Sequence, residues 1–220
     1  MRPINNLHLV GLTGRDGAGR RTAATVLAER HHCLVLATSR AICQEIGAAW
    51  GVDPRLLEDP HTRGTALPEL ALERCTDASF LTFANHFLRN RSYSRARSPL
   101  ELMRWWGADY RRHQDADYWL RILADSIVAA MRRGHYRIAV QDIRYPNEAA
   151  FVRELGGRIW RIRQARAEAE TPAHISEAFI RWLSVHAEIR NDGSLDEFER
   201  AVTYQWLDTF EATEAHHGIR

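Results

Sequence analysis

The sequence predicts an α/β fold, a parallel sheet flanked by helices, and three observations predict it. Short apolar runs of strand length alternate with segments of helical period, a Gly-rich turn joins the first run to the first helix, and Gly or Pro punctuates the element ends. Strands alternating with helices build a parallel sheet covered on both faces. Residues 7–12 form the first apolar run, and over residues 21–30 Ala23, Val26 and Leu27 recur at helical spacing. Residues 33–37 are the second run, followed by Ile42, Ile46 and Trp50 on one face of a helix that Gly51 ends. Over residues 52–99 the periodicity weakens, Pro54, Pro60 and Pro68 read as breakers, and an irregular segment is expected. Pro99 opens a helix containing Leu102, Trp105 and Trp106. A stronger helical pattern runs through Trp119, Ile122, Leu123, Ile127, Val128 and Met131 until Gly134 stops it. Strands at 136–140 and 158–162 enclose a helix at 146–155. A polar linker, a helical stretch at 174–183, a short strand at 187–190 and a final helix at 195–208 complete the pattern.

A chain of 220 residues, 45% of them hydrophobic, buries one sizeable core but is short for two typical domains. A single domain over 1–220 is therefore expected, with 52–133 as an inserted helical lid or substrate segment. The net charge of +2 comes from Arg, Asp and Glu spread along the whole length. Stable nucleic-acid binding is not expected from that pattern, whereas a small anionic substrate fits it. All 30 Lys+Arg positions are Arg. The two residues are equivalent as surface charge and not at a phosphate site. Cys33, Cys43 and Cys75 lack metal or disulfide spacing and read as reduced thiols, which implies a cytoplasmic setting. Residues 1–10 lack the regions of a signal peptide, and no apolar run approaches the roughly 20 residues of a membrane span, so no membrane partner is expected. A homodimer is compatible with this composition.

The chemistry concentrates first in the turn Gly14-Arg15-Asp16-Gly17-Ala18-Gly19-Arg20-Arg21-Thr22. Between a strand and a helix, three glycines let backbone N–H groups converge on phosphate oxygens at the positive end of the helix dipole. The same turn also suits an ordinary tight connection, but its place after the first strand favours the phosphate loop, or P-loop. Gly14 and Gly19 match the pattern G-x-x-x-x-G-K-[ST]; Arg20 stands at the lysine position, Arg21 at the hydroxyl position, and Thr22 one place later. Thr22 is the candidate hydroxyl for Mg²⁺. Asp142 follows the 136–140 strand, where parallel sheets gather their sites. With Arg144 it offers a carboxylate near Mg²⁺ and a guanidinium near phosphate; the bland alternative is a helix cap or a loop ion pair. The stretch from Arg104 to Arg112 mixes tryptophans with arginines, as a nucleobase pocket does, and equally as a helix packing its tryptophans into a core does. His174, Ser176 and Glu177 suggest a catalytic trio, yet adjacent Ser176 and Glu177 cannot face one another on a helix, so capping or substrate contact is preferred.

Together these segments resemble the deoxynucleoside monophosphate kinases of tailed bacteriophages and their prophage relatives. The resemblance is carried by the Gly-rich loop, by residues 98–112, by 114–119, by Asp142-Ile143-Arg144 with Asn147-Glu148, by His174-Ile175-Ser176-Glu177 and by Asn191-Asp192-Gly193-Ser194-Leu195. It implies a P-loop NTPase fold and transfer of the ATP γ-phosphoryl group to a deoxynucleoside 5′-monophosphate, with Mg²⁺ and in-line geometry. Arg20, Asp142 and Arg144 are the expected catalytic residues, and Thr22 and Asp142 the expected metal contacts. By the same resemblance Arg161, Arg163 and Asn191 join residues 14–22 around ATP, while Arg104, Asp109, Arg112, His174 and Glu177 serve the acceptor nucleotide. The chain departs from the family at Arg20 for lysine, at Leu100, Arg104 and Ala108 for Arg, Gln and Thr, and at Arg63-Gly64 for Lys-Glu. Those departures raise two alternatives, a catalytically impaired nucleotide-binding relative and a kinase for another acceptor, such as a modified base in DNA.

Overall fold

The computed structural model describes residues 6–87, 92–169 and 179–211. Its strands are β1 (His8–Thr13), β2 (Leu34–Leu36), β3 (Arg137–Val140), β4 (Arg158–Arg163) and β5 (Ala187–Arg190). Its helices are α1 (Arg20–His31), α2 (Thr38–Trp50), α3 (Pro54–Glu58), α4 (Ala78–Phe87), α5 (Pro99–Arg104), α6 (Arg112–Gln114), α7 (Tyr118–Arg132), α8 (Pro146–Glu154), α9 (Ala165–Ala169) and α10 (Leu195–Trp206). Two compact units share the chain: residues 1–37 with 123–220, and residues 38–122. The boundary falls inside α7.

The first unit holds one sheet in the order β2-β3-β1-β4-β5, and every pairing is parallel. This is the predicted α/β architecture of a sheet flanked by helices. Alternate residues of each strand face opposite sides, so one apolar set cannot cover both. On one face Val10, Leu12, Trp160 and Ile162 pack with Ala23 and Leu27 of α1 and with Phe198, Val202 and Trp206 of α10. On the other, Leu9, Ile138, Val140 and Ile159 pack with Leu123 and Ile127 of α7 and with Ala149 and Val152 of α8. Val128, counted in the apolar pattern of α7, is 45% exposed and lies off that buried stripe.

Residues 38–122 have their own core, built on Ile46, Trp50, Leu57, Phe80, Leu102 and Trp106. The segment expected to be irregular holds α3 and the ten-residue α4. Pro54 starts α3 instead of breaking it, with the Asp53 side chain accepting from the Arg55 N–H at 2.9 Å. Phe80, Phe83 and Ala84 form the buried face of α4 at the spacing a helix requires. After α5 the chain widens into a π-helix, Trp105–Arg111. The polar linker after β4 contains α9. The helix expected at 174–183 lies largely outside the described residues.

Gly11, in the middle of β1, is a close-packing position. A Cβ there would come within 2.8 Å of Ile143 Cγ1 and 2.9 Å of Ile159 Cδ1. Gly11→Ala is expected to cost about 1–3 kcal/mol of stability by overpacking, read by urea denaturation. Trimming the neighbour in the double variant Gly11→Ala/Ile159→Val, which removes Cδ1, should return part of that loss, and an unchanged midpoint in the single variant would show that the strand has room.

Candidate functional site

The site forms where β1 and β3 end side by side. Leu9 pairs with Ile138 and Gly11 with Val140, so the turn after β1 and the segment after β3 leave the same edge of the sheet. Past the last strand residue the ladder continues by one bond, from the Ile143 N–H to the Leu12 carbonyl at 2.9 Å. Ile143 is fully buried against the sheet, which fixes its two neighbours, Asp142 and Arg144. Glu148 holds the other side. Its buried carboxylate accepts from the Arg144 and Tyr145 N–H groups at 2.9 and 3.1 Å, where α8 begins.

The Gly-rich turn is held from β4, α9 and the segment that follows β5. Gly14 passes so near the Ile162 carbonyl that any side chain would collide with it. Gly19 adopts φ +105° at the N-cap of α1, with Asn191 packed against it. Asn191 donates from Nδ2 to the Ala18 carbonyl at 3.0 Å, and its own N–H donates to the Arg163 carbonyl at 2.8 Å. Arg15 donates to the Glu168 carbonyl at 2.9 Å. No side chain caps α1 and no acidic residue lies in its first turn, which instead carries Arg20 and Arg21. Two cations at the positive end of a helix dipole are unfavourable alone and suit a site for anions.

Four side chains close into a ring of alternating charge. Asp142 Oδ1 accepts from Arg20 and from Arg144 Nε, the latter at 3.0 Å, and Oδ2 accepts from the same Nε at 3.0 Å. Asp16 Oδ1 accepts from Arg20 at 2.5 Å and from Arg144 at 2.7 Å. Burial pushes the Asp142 carboxyl up, but the Arg144 and Arg20 guanidiniums outweigh it and hold it below the usual range. Burial works against the charge on Arg144 too, and there Asp142 and Asp16 prevail, raising it further.

Of the residues expected at the site, the structure brings together Asp16, Arg20, Asp142 and Arg144, with Gly14, Arg15, Gly17, Ala18, Gly19, Arg21, Thr22 and Asn191 around them. Thr22 stands half-buried in the first turn of α1. Arg161 and Arg163 leave the end of β4 and are engaged by protein groups. Arg161 bonds Glu188 at 2.6 Å and the Ile180 carbonyl at 3.0 Å; Arg163 bonds Glu168 at 2.6 Å and Glu188 at 3.1 Å. His174 and Glu177 lie outside the described residues. Arg104, Asp109 and Arg112 belong to residues 38–122, on α5, the π-helix and α6, and are partly exposed.

Within residues 38–122 the tryptophans follow the packing alternative. Trp106 is buried, and its Nε1 donates to Glu45 at 2.7 Å. Glu45 also accepts from Arg111 Nε at 2.8 Å and from the Tyr118 hydroxyl at 2.5 Å, while the Arg111 guanidinium lies 4.9 Å from the ring centres of Tyr110 and Tyr118. Sequence reasoning missed Glu45, since nothing in the spacing joins it to residues more than sixty positions away. It also gave Glu148 no structural role, although Pro at N1 followed by Glu at N3 is a helix-start signal.

The family model for deoxynucleotide monophosphate kinase matches residues 80–202, more than half of the chain. The match includes Asp142, Arg144, Glu148 and Asn191, and the Gly-rich turn lies before it. No curated protein sequence matches. Two similar solved structures are an unliganded sugar kinase from Janibacter sp. HTCC2649 and TT1252 from Thermus thermophilus. The first is 16% identical, with TM-score 0.43, covering 94% of this chain and 97% of its own. The second is 14% identical, with TM-score 0.43, covering 95% and 99%. No described helix is long and apolar enough to cross a membrane.

The depressed Asp142 pKa has a defined sign in stability. A carboxylate whose folded pKa lies below its unfolded value stabilises the fold above the ordinary carboxylate range and loses that contribution as pH falls through the folded value. Thermal unfolding followed from neutral to acid pH should therefore show a shallower decline for Asp142→Asn than for the wild type. Parallel curves would mean that the ring contributes nothing linked to protons.

Proposed function

The chain belongs to the deoxynucleotide monophosphate kinase family, and from that premise we propose that it transfers the γ-phosphoryl group of ATP to a deoxynucleoside 5′-monophosphate. A phosphate oxygen of the acceptor attacks the γ-phosphorus, the bond to the β–γ bridging oxygen breaks, and ADP leaves with the electron pair. One observation carries the reading: Arg20 and Arg144 stand together beside a glycine turn at a helix N-terminus, on the strand pair whose second segment lies in the family match.

In this reading the loop N–H groups take the β- and γ-phosphate oxygens, and Asn191 keeps the loop in shape through Ala18. Arg20 and Arg144 keep their carboxylates and turn their remaining N–H donors to the transferring phosphoryl group, whose oxygens suit the guanidinium fork equally well. Asp142 and Asp16 aim both guanidiniums before the substrate arrives, so the charge they stabilise meets an oriented field instead of mobile water. Arg161 and Arg163 are assigned to the ATP phosphates, and Arg104, Asp109, Arg112, His174 and Glu177 to the acceptor nucleotide. These assignments rest on the family resemblance.

A second reading draws on Arg20 itself, whose guanidinium is already bound by two protein carboxylates. If these contacts leave Arg20 no donor for the phosphoryl group, the chain holds ATP and turns it over poorly, and Arg20→Lys releases activity by loosening the ring.

ADP release measured across all deoxynucleoside monophosphates tests the first reading directly. Release that requires one of these acceptors is the expected result, and none with any acceptor overturns it. Arg144→Gln should then lower kcat by about 10²-fold or more, with a smaller change in KM, as expected for a donor that acts in the transition state. Brisk wild-type turnover excludes the second reading, which predicts ATP binding without turnover and a gain of activity in Arg20→Lys.

A further inference from the structure

The family resemblance implies Mg²⁺, and Thr22 and Asp142 are its expected contacts, so the donors can be tested against the ion. Mg²⁺ takes six oxygen ligands at about 2.0–2.1 Å in near-octahedral array and tolerates little distortion. Phosphates and waters fill most of these positions and a protein adds one or two carboxylates, but Asp142 has no oxygen clear of a guanidinium to add. Both of its oxygens accept from Arg144, and Oδ1 also accepts from Arg20. Asp16 is engaged by the same two guanidiniums. A dication brought to Asp142 would break hydrogen bonds at a largely buried carboxylate and then sit beside two fixed positive charges.

The loop sequence points the same way independently. The position after the lysine site, where the pattern places a metal-binding hydroxyl, is Arg21. Thr22 comes one residue later, which turns its side chain by about 100° around the helix from that position. Residues 14–22 hold Arg15, Arg20 and Arg21 against Asp16, a net charge of +2 from three positive and one negative side chain. The residues present do not fit a magnesium ion.

We propose that Arg20 and Arg144 stand in the place of the divalent cation, so that this chain binds metal-free ATP at least as tightly as its magnesium complex. The proposal rests on the reading that the Gly-rich loop takes ATP. Two guanidiniums supply fixed N–H donors where a metal would otherwise bind the β- and γ-phosphates, in a geometry that needs no dehydration of a small cation.

Calorimetric titration of the full chain with ATP, once in excess EDTA and once in excess MgCl₂, tests it. Equal or tighter binding in EDTA is the expected result. A loss in EDTA of more than about tenfold, equivalent to ~1.4 kcal/mol, overturns the proposal and leaves the nucleotide-binding reading intact. No binding in either buffer overturns the nucleotide-binding reading and this proposal with it. Arg144→Gln, checked for folding by circular dichroism, should free Asp142 and make ATP binding depend on Mg²⁺, with about tenfold weaker binding in EDTA that Mg²⁺ restores. Arg144→Gln binding ATP equally in both buffers at wild-type strength would remove Arg144 from the role. Should that variant not fold, the wild-type comparison still decides the main claim.

Discussion

The parallel pairing of β1 with β3, extended by the bond from the Ile143 N–H to the Leu12 carbonyl, sets Asp142 beside Arg20 although 122 positions of sequence lie between them. Ile143 is what makes the pairing exact enough to matter. Its side chain fills the space beside Gly11, so the segment cannot slide without opening a void or meeting the sheet. Alternation along the chain then points Asp142 and Arg144 away from that packed side. A core contact thus sets the position of a charged cluster at the strand ends.

Much of the architecture was legible because it rests on local rules. The strand–turn–helix at residues 8–31 declares itself by an apolar run, three glycines and helical spacing, and the later strands follow the same grammar. Where the reading failed, the local signals were present and outweighed. Pro54 and Pro68 read as breakers in the sequence, although proline is equally at home in the first turn of a helix, where both stand. Phe80, Phe83 and Ala84 carried the period of α4, in a segment whose prolines suggested none. The π-helix at Trp105–Arg111 could not be read at all, because its wider turn follows from packing Trp106 and Tyr110 into the local core.

The charged cluster divides in the same way. Asp16 and Arg20 are four residues apart, a spacing visible in sequence, and the structure joins them. Their closure through Asp142 and Arg144 depends on sheet order, which no spacing reveals. The same limit applies to Arg161 and Arg163. The register of β4 on β5 sets Arg161 opposite Glu188, and α9 brings Glu168 to Arg163, so partners absent from any local pattern take both guanidiniums. A basic residue at a strand end is a phosphate candidate only until its neighbours are known.

Arginine at position 20 acquires a physical rationale from the ring. Its two terminal nitrogens reach different carboxylates, one on Asp142 and one on Asp16, as the two arms of a planar fork can. An ammonium is a single point of charge on a flexible stem and cannot hold both acceptors in that fixed relation. Arg144 repeats the arrangement from the other strand, with Nε on Asp142 and a terminal nitrogen on Asp16. Each carboxylate is therefore shared by two forks and each fork by two carboxylates, so removing one member leaves another buried and underbonded. Arg20 belongs to this set as a structural unit with Asp16, Asp142 and Arg144, beyond its place in the loop pattern.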